Sequence, residues 1–207
     1  MKFSLCKSHW EFTREWFDGF ALGEGIGEQV RIPHTVQEMP LHYSDHMAYQ
    51  MVCGYRHSLT IDEALRGQRQ FLQFDGAAHI ATVYVNGVEL TTHRCGYTAF
   101  RVDITDQVRY GQENIIAVKL DTTENPAVPP FGFVIDYLTY GGIYREVWFE
   151  SKNEQHIEDI YLTTPDLVTL KVQVTANMAE GCEFRTELVA ENGQVLLTQR
   201  NAATGAP

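Results

Sequence analysis

Clusters of lysine and arginine are missing from this 207-residue chain, which carries 16 Lys and Arg against 27 Asp and Glu. Binding along a phosphate backbone needs grouped cations, so no nucleic acid partner is expected. The formal charge of −11 is compatible with a neutral ligand such as a sugar. It serves solubility equally well. No apolar run is long enough to span a bilayer, so no membrane partner is expected. The first residues, MKFSLCKSHWEF, lack the apolar core of a signal peptide. Cys6, Cys53, Cys95 and Cys182 are scattered and form no C-x-x-C pair for zinc or redox work. These features together read as a reduced, cytoplasmic protein. Helical patterns are scarce too. Short turns are expected near 61–66 and 103–108, neither long enough for an ordinary helix.

Strand patterns are abundant. Val83 and Val85 alternate with Tyr84, then Asn86-Gly87 leads into Val88-Glu89-Leu90. Both central residues of an Asn-Gly turn tolerate positive φ, so 79–91 reads as a hairpin with a type I′ turn. Ile116, Val118 and Leu120 alternate with Ile115, Ala117 and Lys119, a further strand. Residues 69–74, 97–104 and 143–150 are expected strands as well. A polar stretch at 151–156 marks a boundary, and IEDIYLTT, LVTLKVQV, CEFRTELV and GQVLLTQR follow it. Val168, Leu170, Val172 and Val174 alternate in the second of these. The reading is all-β, with one sandwich over 1–152 and a second unit over 157–207. An immunoglobulin-like sandwich needs about 100 residues. The second unit is therefore expected to be cut short and the chain to be part of something longer.

Candidate chemistry is thin. His42 and His46 have a one-face helical spacing, but Pro40 opposes a helix and a zinc-protease motif would need Glu where Tyr43 stands. Glu11/Glu15 and Glu24/Glu28 read as solvated charge. The glycines of ALGEGIGEQV lack the strand–helix context of a dinucleotide loop. There is no G-x-S-x-G elbow. Cys53 and Cys95 are more simply structural thiols than nucleophiles. One stretch stands apart: FGFVIDYLTYGGIYREVWFE, residues 131–150. Asn125 to Pro130 form a stiff, proline-rich approach to it, expected to be extended. Gly141-Gly142 permits a tight backbone path. Between them Asp136 is flanked by Phe131, Phe133, Tyr137 and Tyr140. Aromatic faces with a carboxylate acceptor suit sugar hydroxyls. A turn cap or a pair with Arg145 would explain Asp136 as simply.

DYLTYGGIYREVWF resembles the segment closing the N-terminal sugar-binding domain of family 2 glycoside hydrolases, which include β-galactosidases, β-glucuronidases and β-mannosidases. Asp136, Tyr140, Gly142, Ile143, Arg145 and Val147 fill its pattern of an acid, a short spacer and Gly-Ile-aromatic-Arg-x-Val. RIPHT (31–35), FDGAAHIATVYVNGVEL (74–90) and GYTAFRVDITDQVRYGQENIIAVKLD (96–121) are similar to other parts of that domain, in the same order. The resemblance implies a jelly-roll, galactose-binding-like sandwich followed by the start of an immunoglobulin-like domain. A (β/α)₈ barrel of about 250 residues would come next, and none follows here. It implies a hydrolase of carbohydrate metabolism whose two catalytic glutamates belong to that barrel, so no residue here is expected to be catalytic and the chain alone is expected to be inactive. Asp136 is implied as a substrate-binding residue, and Arg145 as a brace between loop and strand. The implied partners are a β-galactoside or related glycoside, the protein's own barrel and, for the full-length protein, further copies of itself. No cofactor is implied within these residues, and a divalent or sodium ion belongs, if anywhere, to the whole enzyme. A free-standing carbohydrate-binding module is the alternative.

Overall fold

The computed structural model describes residues 1–38, 40–42, 45–129, 140–179 and 181–202. They fall into two units, Met1–Ser151 and the residues from Lys152 onward.

The first unit holds ten strands: β1 (Lys2–Ser4), β2 (Trp10–Thr13), β3 (Glu28–Val30), β4 (Val52–Thr60), β5 (Arg69–Phe74), β6 (Ile80–Val85), β7 (Val88–His93), β8 (Phe100–Asp103), β9 (Glu113–Asp121) and β10 (Val147–Lys152). Six form one sheet in the order β3-β2-β4-β9-β6-β7, antiparallel throughout. Four form the other, β1-β10-β5-β8. At the centre of the larger sheet β4 and β9 pair over their whole length, from Val52 opposite Asp121 to Thr60 opposite Glu113. The alternation in β9 does what its period of two requires: Ile116, Val118 and Leu120 are buried. Trp10, Phe12, Tyr55, Val83 and Val118 from this sheet meet Leu72, Phe74, Val102, Val147 and Phe149 from the other in one core. The expected all-β sandwich is what the chain forms. Its hairpin turn is of the expected kind, with Asn86 at φ 52° and Gly87 at φ 82°.

Several expected boundaries move, each for a local reason. The strand expected over 97–104 starts at Phe100, and that over 143–150 starts at Val147. Residues 143–146 lie outside it because their backbone groups bond elsewhere: the Ile143 carbonyl to His34 N–H at 2.8 Å and the Glu146 carbonyl to Asp75 N–H at 2.9 Å. The proline-rich approach is not simply extended. Asn125 Oδ1 accepts Ala127 N–H at 2.9 Å, Val128 N–H closes onto the Asn125 carbonyl at 3.2 Å, and Val128 is buried. Pro126 therefore serves as the second residue of a turn, where its fixed φ suits that role. Glu11 is not solvated charge. It lies opposite Arg56 across β2 and β4 and forms an ion pair with it, whereas Glu15, Glu24 and Glu28 are exposed. Two strands separated by a long stretch of chain made that pair, and no local spacing encodes it.

The second unit consists, among its described residues, of two antiparallel hairpins. β11 (His156–Thr163) pairs with β12 (Lys171–Asn177), and β13 (Glu183–Val189) with β14 (Val195–Ala202). Val168 and Leu170, expected in a strand, precede β12. Asp166 turns the chain there by accepting Val168 N–H at 2.9 Å and Thr169 N–H. Ile160, Tyr161, Leu162, Leu196 and Leu197 all remain more than half exposed, so neither hairpin buries a core of its own.

Candidate functional site

Asp136, the expected substrate-binding residue, lies in 130–139, outside the described residues. The structure places the chain on both sides of that segment, and the site is built from there.

On the C-terminal side, residues 141–143 are threaded between two other parts of the sandwich. The Gly141 carbonyl accepts Val36 N–H at 2.9 Å, and the Ile143 carbonyl accepts His34 N–H at 2.8 Å. Gly142 faces the opposite way and exchanges both backbone bonds with Ala78, at 3.0 and 3.1 Å. Both glycines are needed for this passage. Gly142 sits at φ +135°, and a Cβ there would collide with the His34 carbonyl oxygen. A Cβ on Gly141 would collide with the Thr122 side chain.

Thr122 is buried immediately after β9. Its Oγ1 donates to the Tyr49 carbonyl at 2.6 Å and accepts Met51 N–H at 3.0 Å, while its own N–H donates to the Met51 carbonyl at 2.9 Å. The Tyr49 ring meets the Tyr140 ring edge-on, with centroids 5.9 Å apart. On the N-terminal side, Glu124 N–H donates to Gln50 Oε1 at 3.3 Å. Residues 49–51 thus contact the chain before and after 130–139. They follow a 3-10 turn, His46–Tyr49, whose start is capped by Asp45 accepting Met47 N–H. Tyr140 keeps 40% of its surface exposed and presents an aromatic ring at the edge of this assembly.

A half-buried imidazole, His34, and a buried one, His79, border it. His34 Nδ1 lies 2.8 Å from the Tyr55 hydroxyl. Burial lowers the His34 pKa against the opposing pull of Glu28 and Glu38, and burial raises that of Tyr55. Both groups are therefore neutral near pH 7, and their bond is one between neutral partners. His79 is also buried, and burial lowers its pKa in spite of Asp121 and Glu124. Its Nδ1 has no hydrogen-bond partner among the described residues.

Arg145 braces the far side of the passage. Its Nη1 donates to the Tyr97 carbonyl at 3.2 Å and lies 3.4 Å from the Asp75 carbonyl, and its guanidinium covers the Tyr144 ring. The Tyr144 hydroxyl donates to the Gly96 carbonyl at 2.5 Å. These bonds tie loops around 75 and 97 to the start of β10.

The other sequence candidates separate from this region chemically. Cys53 is fully buried and its thiol is pushed up to about 12 by burial, so it is protonated and unreactive at neutral pH. Cys95 has a lowered pKa because the Thr98 side chain hydrogen-bonds to it. His42 and His46 are exposed. Among the described residues, no group of three His, Cys, Asp or Glu side chains could hold a metal ion. Thr122, Tyr49 and Gln50 were invisible as site residues in the sequence. DTTENP reads as an ordinary loop, and its contacts to 49–51 continue the β4–β9 pairing just past its Val52–Asp121 end, between stretches about seventy residues apart in sequence.

What this arrangement does is fix the chain to the sandwich at Glu124 and at Tyr140–Ile143, on either side of residues 130–139. Residues 8–152 match the family described as glycosyl hydrolases family 2, sugar binding domain. A β-galactosidase of Thermoanaerobacter pseudethanolicus is 34% identical over 183 residues, covering 85% of this chain and 25% of that protein. A β-glucuronidase of Bacteroides fragilis is 32% identical, covering 77% of this chain and 23% of that protein. Among solved structures, a family 2 glycosyl hydrolase of Bacteroides cellulosilyticus superposes with a TM-score of 0.76 at 26% identity, covering 98% of this chain and 29% of that one. The β-glucuronidase of Ruminococcus gnavus in complex with D-glucuronic acid superposes at 0.81 and 21% identity, covering 98% and 38%, and shares the fold. The chain thus spans about a quarter of the length of the curated relatives it matches. It belongs to glycosyl hydrolase family 2, as the part that carries the family's N-terminal sugar-binding domain.

Proposed function

We propose that this chain is the non-catalytic N-terminal part of a retaining β-glycosidase, most simply a β-galactosidase, and that Asp136 is its contribution to substrate binding. In this reading a (β/α)₈ barrel follows and supplies the two catalytic glutamates, about 5–5.5 Å apart as retention requires. The segment 130–139 reaches that barrel's pocket. The Asp136 carboxylate accepts hydrogen bonds from hydroxyls of the non-reducing sugar and acts by orientation, without moving a proton. The second unit is the beginning of an immunoglobulin-like domain. Its half-exposed apolar strands support this, since such faces need further strands over them. Four unpaired cysteines support a reducing, cytoplasmic setting.

The observation that carries the proposal is the anchoring of the chain flanking 130–139, at Glu124 by Gln50 and at Tyr140 to Ile143 by Tyr49 and the Gly141-Gly142 passage, within a domain matched to sugar binding. Galactoside specificity is favoured by two β-galactosidases among the most similar relatives, at 34% and 36% identity. The test is Asp136→Ala in the full-length protein, assayed on aryl β-galactoside and β-glucuronide. Losing hydrogen bonds to a charged group costs about 1.5–3 kcal/mol, or roughly a 10- to 100-fold drop in kcat/KM on the preferred glycoside. Unchanged kinetics would refute the assigned role, and a preference for the glucuronide would refute the assigned sugar.

A further inference from the structure

We propose that Asn192 is a modification site: the Asn192-Gly193 turn of the second unit deamidates in the folded protein, while the same dipeptide at Asn86-Gly87 is held unreactive by the sandwich.

The chain has two Asn-Gly pairs, at 86–87 and 192–193. Gly87 and Gly193 both take positive φ, 82° and 84°. Each pair turns a hairpin, β6–β7 in one case and β13–β14 in the other. The chemistry open to them is the same. The glycine backbone nitrogen, once it loses its proton, attacks the asparagine Cγ. A new C–N bond closes a succinimide ring, the Cγ–Nδ2 bond breaks, and Nδ2 leaves as ammonia. Water then opens the ring at either carbonyl, giving aspartate or isoaspartate. Glycine favours closure because no β-carbon obstructs the approach.

What separates the two sites is how firmly each asparagine is held. Asn86 is bonded through both ends of its amide. Its Nδ2 donates to the Gln107 carbonyl at 2.8 Å and to Asn114 Oδ1 at 3.0 Å, and its Oδ1 accepts Ile115 N–H at 3.0 Å. Leu22 lies against Gly87, where a Cβ would stand. Attack at Asn86 Cγ requires these bonds to residues 107–115 to break together. Asn114 is buried, so its oxygen would lose a partner away from water.

Among the described residues Asn192 meets no such restraint. Asn192 and Gly193 are exposed, and nothing lies within 4 Å of the Gly193 Cβ position. Asn192 Oδ1 accepts Gln194 N–H at 3.0 Å, and Gly193 N–H donates to the Ala190 carbonyl at 2.8 Å. Both bonds stay within the turn, and water replaces them when it opens. Exposed turns open at low free energy, whereas elements tied to a core open only near the global value. The single bond on the Gly193 nitrogen therefore slows reaction less than the triple hold on Asn86. The product carries a new carboxylate beside Glu191. Isoaspartate also adds a backbone carbon next to the Val189–Val195 pair that ends the β13–β14 ladder.

The experiment is peptide mapping by mass spectrometry of the full-length protein, held at mildly alkaline pH with and without urea. In the native protein the Asn192 peptide is expected to deamidate at least about tenfold faster than the Asn86 peptide. That ratio corresponds to a difference of about 1.4 kcal/mol in opening free energy. In urea the two rates are expected to converge, because the dipeptide is the same. Asn192→Gln, whose longer side chain would have to close a larger ring, is expected to remove the signal at 192 and leave the Asn86 rate unchanged. Equal native rates overturn the inference. So does an Asn192 peptide that reacts only in urea, or a rate ratio that survives in urea, since sequence and not structure would then set it.

Discussion

At the scale of single residues, Gly142 shows how one missing β-carbon decides where a segment lies. Its φ of +135° belongs to a region that side-chain-bearing residues avoid, and the His34 carbonyl oxygen occupies the place of its Cβ. Gly67 offers a control: it has φ +84°, but nothing lies within 4 Å of its Cβ position. Gly67→Ala is expected to cost only the backbone term, about 1–2 kcal/mol. Gly142→Ala is expected to cost more, since the collision adds to a strain of about 1–3 kcal/mol. Urea unfolding of both variants measures the difference, and equal midpoints would mean that the passage beside His34 is looser than described. The Gly141-Gly142 pair was legible in the sequence as a tight path. Which atoms it passes was not, because His34, Ala78 and Thr122 come from three separated stretches.

At the scale of elements, the side chain of Arg56 joins β2, β4 and the turn that follows Phe17. Besides its pair with Glu11, it donates to the carbonyls of Phe20 at 3.3 Å, Glu24 at 2.8 Å and Gly25 at 3.0 Å. Its guanidinium also lies 4.3 Å from the Phe20 ring centroid. Arg56 is buried but Glu11 is half-exposed at 30%, so removing Arg56 is expected to cost about 3 kcal/mol, the low end of the range for buried pairs. Arg56→Met is therefore expected to lower Tm by about 6–12 °C, taking about 2–4 °C per kcal/mol for a protein of this size. Arg56→Lys should recover only part, since an ammonium cannot reach the same set of acceptors. A Tm within 2–3 °C of wild type, roughly the effect of 1 kcal/mol, would show that the clamp is not a stabilising element. Strand alternation exposed most elements in advance. Their ends were set instead by side chains such as Asn125 and Asp166, which capture nearby backbone N–H groups and turn the chain.

At the scale of the whole molecule, the first unit buries two imidazoles, His57 and His79, and half-buries a third, His34. Burial lowers the pKa of each, against the Glu28 and Glu38 carboxylates for His34, the His9 carbonyl for His57, and Asp121 and Glu124 for His79. The unfolded chain therefore binds more protons than the folded one once the pH falls below the ordinary histidine value of about 6.5. Stability from these groups is complete above that pH and declines as pH falls towards the lowered folded values. Chemical denaturation between pH 7.5 and 5 is expected to show midpoints falling with acidification through this window, before carboxylates contribute. His57, stacked on Trp10 with ring centroids 5.0 Å apart, is a good single probe. His57→Gln should flatten the dependence, and a midpoint constant down to pH 5 would contradict the assignment.

By itself the sequence determined the all-β class, the Asn86-Gly87 hairpin, the polar boundary near 151–156 and the membership suggested by residues 136–147. These depend on side-chain alternation, on backbone preferences of Asn and Gly, and on the order of short motifs, all of which are written along the chain. Only the tertiary structure decided that Glu11 pairs with Arg56, that residues 142–146 leave β10 to bond with 34, 75 and 78, and that Thr122 bonds to the backbone of Tyr49 and Met51. Such contacts join residues far apart in sequence. They come into being only when distant strands pair within a sheet and the sheets close around a shared core, and that assembly sets their distances.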